Sequence, residues 1–269
     1  MKWKYKSLLQ NVISLLPDKI SYPVYYYIQR NFGRLKNTNP LKKLASGVEA
    51  WNFIIKSGFN PTEKVFLEIG TGYVPIIPIS YWLMGAKKVI TIDINPYLKD
   101  ELLFESIDFI CNNQKQVISL FGDFLVTERF NKLVEANHRS EFDPDHFLSM
   151  MNIQYISPCD ASKTNFPSQT IDICTSYNVL EHIPPSVIQS IVIEGRRILT
   201  KDGLMVHKID YSDHFSHTDK NISPLNFLKY SDYKWNKFAG NRYMYMNRLR
   251  HDDMKDIFLT NGYTLIDEK

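Results

Sequence analysis

The sequence lacks any run of 18 apolar residues, so it predicts no membrane-spanning helix. Its only cysteines are Cys111, Cys159 and Cys174, without a Cys-x-x-Cys pair, which favours reduced thiols in a cytoplasmic protein. The start superficially resembles a signal peptide, but Gln10 and Asn11 interrupt the apolar centre and no small-residue cleavage site follows. The length of 269 residues and the apolar content of 44% suit one large α/β domain with additions.

Positive charge is concentrated at the start of the chain. Residues 1–62 hold ten Lys and Arg against two acidic residues, a net of +8, so the total of +3 leaves −5 for residues 63–269. A basic segment predicts an anionic neighbour: a membrane surface, a phosphate-bearing substrate or nucleic acid. A solvated helical face is the simpler alternative, and the sequence has no RNA-binding motif that would favour nucleic acid.

A glycine-containing turn after a short apolar run is the most informative motif. The run that starts at Val65 predicts a buried strand, residues 70–72 a tight turn, and Pro75 the first position of a helix. Such a strand, turn and helix N-terminus form a cradle for a nucleotide. Pro75 replaces the third glycine of a dinucleotide loop, and the Glu68 carboxylate would repel a pyrophosphate but suit a cationic ligand.

A second apolar run, residues 89–92, ends in Asp93, where an acid can accept both hydroxyls of a ribose. Further strands are predicted at 153–156, 171–177, 204–209 and 263–266, with a turn at 201–203. The fourth strand should end beside the first, at the topological switch point where open α/β sheets bind ligands.

The ordered set of motifs resembles the class I S-adenosylmethionine-dependent methyltransferases over roughly residues 63–210. The resemblance rests on Glu68-Ile69-Gly70-Thr71-Gly72, Asp93, Cys159-Asp160-Ala161 and Asn178-Val179-Leu180-Glu181-His182-Ile183. It implies a doubly wound, Rossmann-like α/β fold, with a mostly parallel sheet and helices on both faces, and S-adenosyl-L-methionine as cofactor. The family's third loop glycine is replaced by Val74, so we expect a slightly wider loop.

The resemblance also implies which residues bind the cofactor. The sulfonium and amino-acid part would lie over the loop after the first strand, the ribose on Asp93 and the adenine by Asp160, although Asp160 could also be an ordinary loop acid. The predicted cofactor residues are Glu68, Gly70, Thr71, Gly72, Asp93, Ile94, Asp160, Ala161, Tyr177 and Asn178.

The predicted organisation is an N-terminal helical extension, residues 1–60, and a methyltransferase domain, residues 61–269, with a helical insertion at about 97–150. The extension could pack on the core, line a substrate entrance or lie at a lipid interface, and the insertion could wall a substrate pocket. An apolar stripe in the first helix is marked by Trp3, Leu8, Leu9, Val12, Ile13 and Leu16. The family usually adds a seventh, antiparallel strand; no room remains after Lys269, so we expect a truncated chain or an unusual sheet edge.

A segment rich in His and Asp follows the fifth strand. His214 or Asp210 could act as the general base on an acceptor hydroxyl, and His182 is a further candidate. Alternatively, Asp210, Asp213, His214 and His217 could hold a metal ion or form hydrogen-bonded scaffolding. Their spacing matches no closed zinc site, so we predict no metal.

Aromatic and basic side chains are interleaved between residues 221 and 250, a pattern that suits sugar rings and phosphates. The stretch resembles methyltransferases of bacterial surface-polysaccharide clusters, which makes Arg248 and Arg250 candidates for substrate binding, with a solvated basic surface as the alternative. We therefore predict O-methylation of a sugar or other small-molecule hydroxyl. The rival functions are a nicotinamide-dependent oxidoreductase, which does not explain Glu68 and Pro75, and a catalytically silent cofactor-binding module.

Overall fold

The computed structural model describes residues 1–37, 39–139 and 142–268, without the side chain of Arg139. The chain divides into two compact units: unit 1 comprises residues 1–37, 178–189 and 208–263, and unit 2 comprises residues 38–177, 190–207 and 264–269. Positions 140 and 141 of the predicted insertion, and Lys269, lie outside the described residues. The domain boundary predicted near residue 60 stays a prediction.

Within the described residues, five strands form one sheet. They are β1 (Val65–Ile69), β2 (Lys88–Ile92), β3 (Ile153–Ile156), β4 (Ile171–Tyr177) and β5 (Leu199–Lys208). Their order is β3-β2-β1-β4-β5, with β1 parallel to β2 and β4, and β2 parallel to β3. The predicted α/β, Rossmann-like architecture with a mostly parallel sheet is confirmed.

The described residues also form helices before, between and after these strands in the sequence. They are α1 (Trp3–Ser14), α2 (Asp18–Phe32), α3 (Leu41–Lys56), α4 (Ile76–Leu83), α5 (Asp100–Asn112), α6 (Gln114–Phe121), α7 (Thr127–Arg139), α8 (Pro144–Met150), α9 (Pro185–Ile198), α10 (Asp232–Ala239) and α11 (His251–Thr260). The structure thus has the predicted N-terminal helices, and α5 to α8 fill the predicted insertion between β2 and β3. None of the described helices combines the length and hydropathy needed to cross a bilayer.

The packing of β1 in unit 2 depends on aromatic side chains from three elements. Trp51 of α3 stacks on Phe66 of β1 with ring centroids 5.7 Å apart, and Phe66 lies 4.6 Å from Tyr81 of α4. A Cβ atom on Gly47 would lie 1.7 Å from the Ser80 hydroxyl, so α3 and α4 approach as closely as only glycine allows. These contacts fix the strand that carries the glycine loop.

The structure differs from the sequence prediction at the starts of α4 and β5 and at one predicted strand. Pro75 precedes α4 instead of opening it, because its ψ of 56° is not helical. β5 begins at Leu199 and runs through the predicted turn, where a Cβ on Gly203 would lie 3.0 Å from the Asp172 carbonyl oxygen of β4; this glycine marks close strand packing. In the described part of the C-terminus, residues 263–266 form no strand, since the sheet ends at β3 and β5 and no neighbouring strand pairs with them.

Unit 1 joins the start of the chain to its C-terminal third. Its aromatic cluster contains Trp3, Phe215, Phe227, Trp235, Ala239 and Met244. The predicted apolar stripe of α1 is wrong in part, because the buried residues of this helix are Trp3, Ser7, Gln10 and Ile13. The Trp3 N–H donates to Asp219 (2.9 Å) and the Ser7 hydroxyl donates to the Phe238 carbonyl (2.7 Å), and these contacts turn Leu8 and Val12 toward solvent.

Candidate active site

The carboxyl ends of β1, β2 and β4 lie at one edge of the sheet. Ile69 pairs with Ile92 of β2 and with Ser176 of β4. Gly70, Asp93 and Tyr177, which come next in each strand segment, therefore start from the same edge. The predicted grouping of these three positions is present in unit 2.

Two glycines with positive φ form the loop after β1. Gly70 and Gly72 have φ values of 88° and 65°, which favour glycine at both positions. The Gly70 N–H donates to the Ile92 carbonyl (2.8 Å), and the Gly72 N–H donates to a carboxylate oxygen of Asp93 (2.9 Å). A Cβ on Gly72 would meet no atom within 4 Å, so the loop backbone borders open space.

Glu68 lies beneath this loop and is only 3% exposed. Its carboxylate accepts a hydrogen bond from Thr91 (2.8 Å), whose hydroxyl lies 2.6 Å from that of Thr71. Burial raises the pKa of Glu68 to about 8, although the Thr91 hydroxyl and the charge of Lys43 oppose the shift. The raised pKa favours the protonated carboxyl near neutral pH, and direct contact with a sulfonium stays a prediction. Thr91, a polar position inside an apolar strand, was not predicted to take part in the site.

Asp93 supports the loop and also borders the edge of the sheet. One oxygen accepts from Gly72, and the other accepts from the Asn95 N–H (3.1 Å). Burial raises the pKa of Asp93, against the effect of the backbone N–H groups of Gly72, Asn95 and Ile94. Ile94 is 65% exposed, so an acceptor group and an apolar side chain are adjacent at the open face, which fits a ribose with an attached base.

The loop after β3 approaches the same acid. The Cys159 N–H donates to the Asp93 carbonyl (2.9 Å), which brings Asp160 and Ala161 to this region of unit 2. One Asp160 oxygen accepts from both the N–H and the hydroxyl of Ser162 (2.8 and 2.7 Å), as in a local Asx turn. The predicted adenine contact and the loop-acid alternative are both compatible with this placement.

Two further positions were predicted at the end of β4. Tyr177 is the last residue of the strand and is half-buried. Asn178 belongs to unit 1, has a φ of 54°, and donates its backbone N–H to the Lys208 carbonyl (2.8 Å). Two aromatic rings near the loop were missed: Tyr73 and Tyr97, whose ring centroids lie 5.5 Å apart.

The predicted catalytic residues Asp210, His214 and His182 lie together in unit 1. The Nε2 atom of His214 is 3.3 Å from Asp210 Oδ2, and the rings of His182 and His214 have centroids 4.8 Å apart. His217 Nε2 lies 3.4 Å from the same Asp210 oxygen, and Glu181 Oε1 lies 4.0 Å from His214 Nε2. Glu181 was not among the predicted site residues, although it lies in the motif that carries the resemblance.

Burial controls the charges in this cluster. It lowers the pKa of His214, and the neighbouring His182 lowers it further, which favours the neutral imidazole at neutral pH. Burial raises the pKa of Glu181 to about 7, against the nearby N–H groups of Glu181 and Asp210. Burial would also raise the pKa of Asp210, but hydrogen bonds from the hydroxyl and N–H of Ser212 lower it below its usual range, with smaller electrostatic contributions from His214 and His217.

Other predicted residues have interior partners. Asp213, part of the predicted metal alternative, accepts from the Phe215 N–H (2.8 Å) and the Asn226 amide (2.9 Å). Arg248 donates to the carbonyls of Phe227 and Tyr230 (3.0 and 2.8 Å) and pairs with Asp232. These contacts favour a scaffolding role for both residues.

Arg250 and the aromatic side chains around it differ from the predicted sugar-binding pattern. The Arg250 guanidinium donates to the Tyr211 carbonyl (2.7 Å) and stacks over the Tyr211 ring at 5.5 Å. Phe227 and Trp235 are buried in the aromatic cluster, so part of the aromatic pattern between residues 221 and 250 reflects core packing. Substrate binding by Arg248 and Arg250 stays a prediction.

One segment of the chain matches a known protein-family model. Residues 126–207 match a family model described as a methyltransferase domain. The match includes Asp160 and Glu181, ends before the His214 cluster, and starts after the loop that follows β1. This methyltransferase-domain match supports the predicted S-adenosylmethionine cofactor. No curated protein matches the chain.

Several solved structures are similar to the chain at low identity. One is a candidate O-methyltransferase from Nostoc punctiforme (11% identity, TM-score 0.46), aligned over 83% of this chain and 50% of that one. A candidate S-adenosyl-L-methionine-dependent methyltransferase from Methanococcus maripaludis has 13% identity and a TM-score of 0.46, over 91% and 84%. Phosphoethanolamine N-methyltransferase 2 from Haemonchus contortus, in complex with S-adenosyl-L-methionine, has 13% identity and a TM-score of 0.42, over 81% and 41%. The chain thus spans half or less of the first and third proteins, and these likenesses say nothing about its methyl acceptor.

Proposed function

We propose that this protein is an S-adenosylmethionine-dependent methyltransferase that O-methylates a sugar or other small-molecule hydroxyl. The observation that carries the proposal is the glycine loop closed on Asp93 at the sheet edge shared by β1, β2 and β4. The methyltransferase-domain match of residues 126–207 supports it independently, because that range does not include the loop.

In this proposal the residues have separate roles. The loop residues and Asp93 of unit 2 hold the methyl donor, and Ile94 covers its apolar base. The candidate general bases His214 and Asp210 lie in unit 1, and the lowered pKa of His214 favours the neutral imidazole that a base requires. The cofactor supplies an activated methyl group, so alignment of donor and acceptor should provide much of the rate.

The first test is binding, followed by methyl transfer. We expect S-adenosylhomocysteine to bind in calorimetry, and mass spectrometry of glycan fragments and nucleotide sugars to show a gain of one methyl group with S-adenosylmethionine. NADH serves as the control ligand, since a nicotinamide-dependent oxidoreductase would bind it instead. Folded protein that binds no S-adenosylhomocysteine at millimolar concentration would contradict the proposal, and binding without transfer to any acceptor would indicate a silent module.

We also propose that the N-terminal helices contact an anionic lipid surface from the cytoplasmic side. In unit 1, α1, α2 and the short link between them carry exposed apolar side chains, whose exposed fractions are Leu8 61%, Val12 55%, Leu15 85%, Ile20 51% and Phe32 80%. Residues 1–62 have a net charge of +8. Exposed apolar groups beside lysines are typical of helices that lie in a lipid interface.

Sedimentation with vesicles tests this contact. We expect the protein to pellet with phosphatidylserine-containing vesicles at low salt, and Leu8→Ser combined with Leu15→Ser to reduce the bound fraction several-fold, about as expected for two lost apolar anchors. Leu228→Ser, at a residue that is 49% exposed outside these helices, is the matched control. Equal binding to uncharged phosphatidylcholine vesicles, or no binding at low salt, would refute the proposed contact with an anionic lipid surface.

A further inference from the structure

One cluster in unit 1 has the composition and spacing of a metal site. Glu181, His182 and His214 each offer a ligand atom, and these atoms lie within 4.8 Å of one another. Asp210 Oδ2 lies 3.3 Å from His214 Nε2 and offers a fourth ligand atom beside these three. Ligand atoms around one four-coordinate ion at about 2.0–2.1 Å lie roughly 3.3 Å apart, so modest side-chain rotations would bring the set to bonding distance.

The Glu181 carboxylate is buried and makes no hydrogen bond to the described residues that would explain its presence in the interior. The residue is only 3% exposed, and among the described residues no donor reaches either carboxylate oxygen with hydrogen-bond geometry, although the N–H groups of Glu181 and Asp210 lie near enough to lower the pKa of the carboxyl. His214 Nε2 is also buried and 4.0 Å from Glu181 Oε1, and its 3.3 Å contact with Asp210 Oδ2 lacks hydrogen-bond geometry. Buried polar groups without partners are rare in folded proteins, and a bound ion is one of their standard explanations.

Surrounding groups hold the ligands as they do at metal centres. His182 Nδ1 lies 2.7 Å from the Tyr245 carbonyl oxygen, which takes the ring N–H and leaves Nε2 as the ligand atom. The Asn247 amide donates to the carbonyls of Leu180 and Ile183 (2.8 and 2.9 Å) and so fixes the short helical turn that carries Glu181 and His182. Asp210 is oriented by the N–H and hydroxyl of Ser212.

We propose that Glu181, His182, His214 and Asp210 bind one divalent transition-metal ion. Two imidazoles with two carboxylates select an ion such as Co²⁺, Zn²⁺, Mn²⁺ or Fe²⁺ over Mg²⁺ and Ca²⁺, which prefer oxygen ligands alone. His217 Nε2, which lies 2.9 Å from the Ser212 hydroxyl, stays outside the set as a neighbour of Asp210. The inference goes beyond the proposed methyl transfer, because binding of the ion needs no methyl donor. It also replaces the general-base role of His214 and Asp210, because their lone pairs would be donated to the ion.

The test is a titration of the full, chelator-treated chain with Co²⁺, followed by visible absorption. We expect saturation at one equivalent, displacement by Zn²⁺ and no displacement by excess Mg²⁺. Glu181→Gln and His214→Gln, two independent variants, should each weaken Co²⁺ binding by about 100-fold or more, beyond the loss caused by removing a supporting group. His146→Gln removes an exposed histidine of α8 and should bind Co²⁺ as the wild type does.

Clear outcomes would overturn the inference. They are no stoichiometric Co²⁺ binding by the wild type, unchanged affinity in both variants, displacement by Mg²⁺, or a thiolate-to-cobalt charge-transfer band, which would place the ion on a cysteine. Calorimetry with S-adenosylhomocysteine on the same samples separates the two proposals. Co²⁺ binding without S-adenosylhomocysteine binding would refute the proposed function and leave the metal site standing.

Discussion

Asp93→Ala should weaken S-adenosylhomocysteine binding by about 10- to 100-fold, since hydrogen bonds to a charged group contribute about 1.5–3 kcal/mol. Two interactions are lost together in this variant: the predicted acceptor for the ribose, and the 2.9 Å bond that holds the Gly72 N–H. Calorimetry at neutral pH gives the affinity, and a thermal scan shows whether the variant is folded.

Asp93→Asn separates the two roles of Asp93. Asparagine keeps one acceptor oxygen for Gly72 but offers the ribose a weaker, uncharged partner. A loss as large as that of Asp93→Ala indicates the ribose contact, and retained affinity indicates loop support alone. Asp123→Ala, which removes an exposed acid after α6, controls for net charge. Unchanged affinity in Asp93→Ala refutes the assignment of this residue to the cofactor.

S-adenosylmethionine affinity should rise with pH by about tenfold between pH 6.5 and 8.5. Glu68 has a pKa of about 8 in the ligand-free protein. A cation bound above it favours the ionised carboxylate, so binding releases a proton, and a fall of about one pKa unit corresponds to a tenfold change in affinity. Calorimetry in buffers of different ionisation enthalpy counts the released proton. Glu68→Gln should remove the pH dependence, and a wild-type slope that survives in this variant would assign it to another group.

The same raised pKa has a consequence for stability without ligand. Because the folded value of about 8 lies above the ordinary value of 4.5, the stability contributed by protonated Glu68 is complete below pH 4.5. It is lost as the pH rises through about 8. The unfolding free energy of the wild type relative to Glu68→Gln should therefore fall across this window and stay constant above it. A flat difference would show that Glu68 is ionised in the ligand-free protein.

Local sequence signals sufficed for the sheet and the loop at its edge. The apolar runs before Gly70 and Asp93 are short, bounded and followed by residues that suit turns, so they fix the strand ends to within one or two residues. Parallel pairing then brings Gly70, Asp93 and Tyr177 to one edge without further information. The roles of Glu68 and Asp93 needed the structure, because their hydrogen bonds to Thr91 and Gly72 depend on how the strands pack.

Long-range packing accounts for what the sequence analysis missed. The apolar stripe of α1 has helical spacing, but Trp3 sets the rotation of the helix through contacts more than 200 residues away in sequence. The terminal run at 263–266 has strand propensity and no partner strand. Glu181 meets His214 only because the chain returns to unit 1 after β5. The hydrophobic periodicity of a short segment carries no information about contacts between residues far apart in the sequence.

Residues 1–37 and 208–263 belong to one compact unit, so this unit cannot fold fully until most of the chain has been synthesised. Trp3 finds its hydrogen-bond acceptor 216 positions later, and α1 packs on α10 later still. During synthesis, the first helix therefore emerges long before its neighbours exist. Until residue 239 has been added, the Trp3 side chain is either exposed to solvent or packed in non-native contacts.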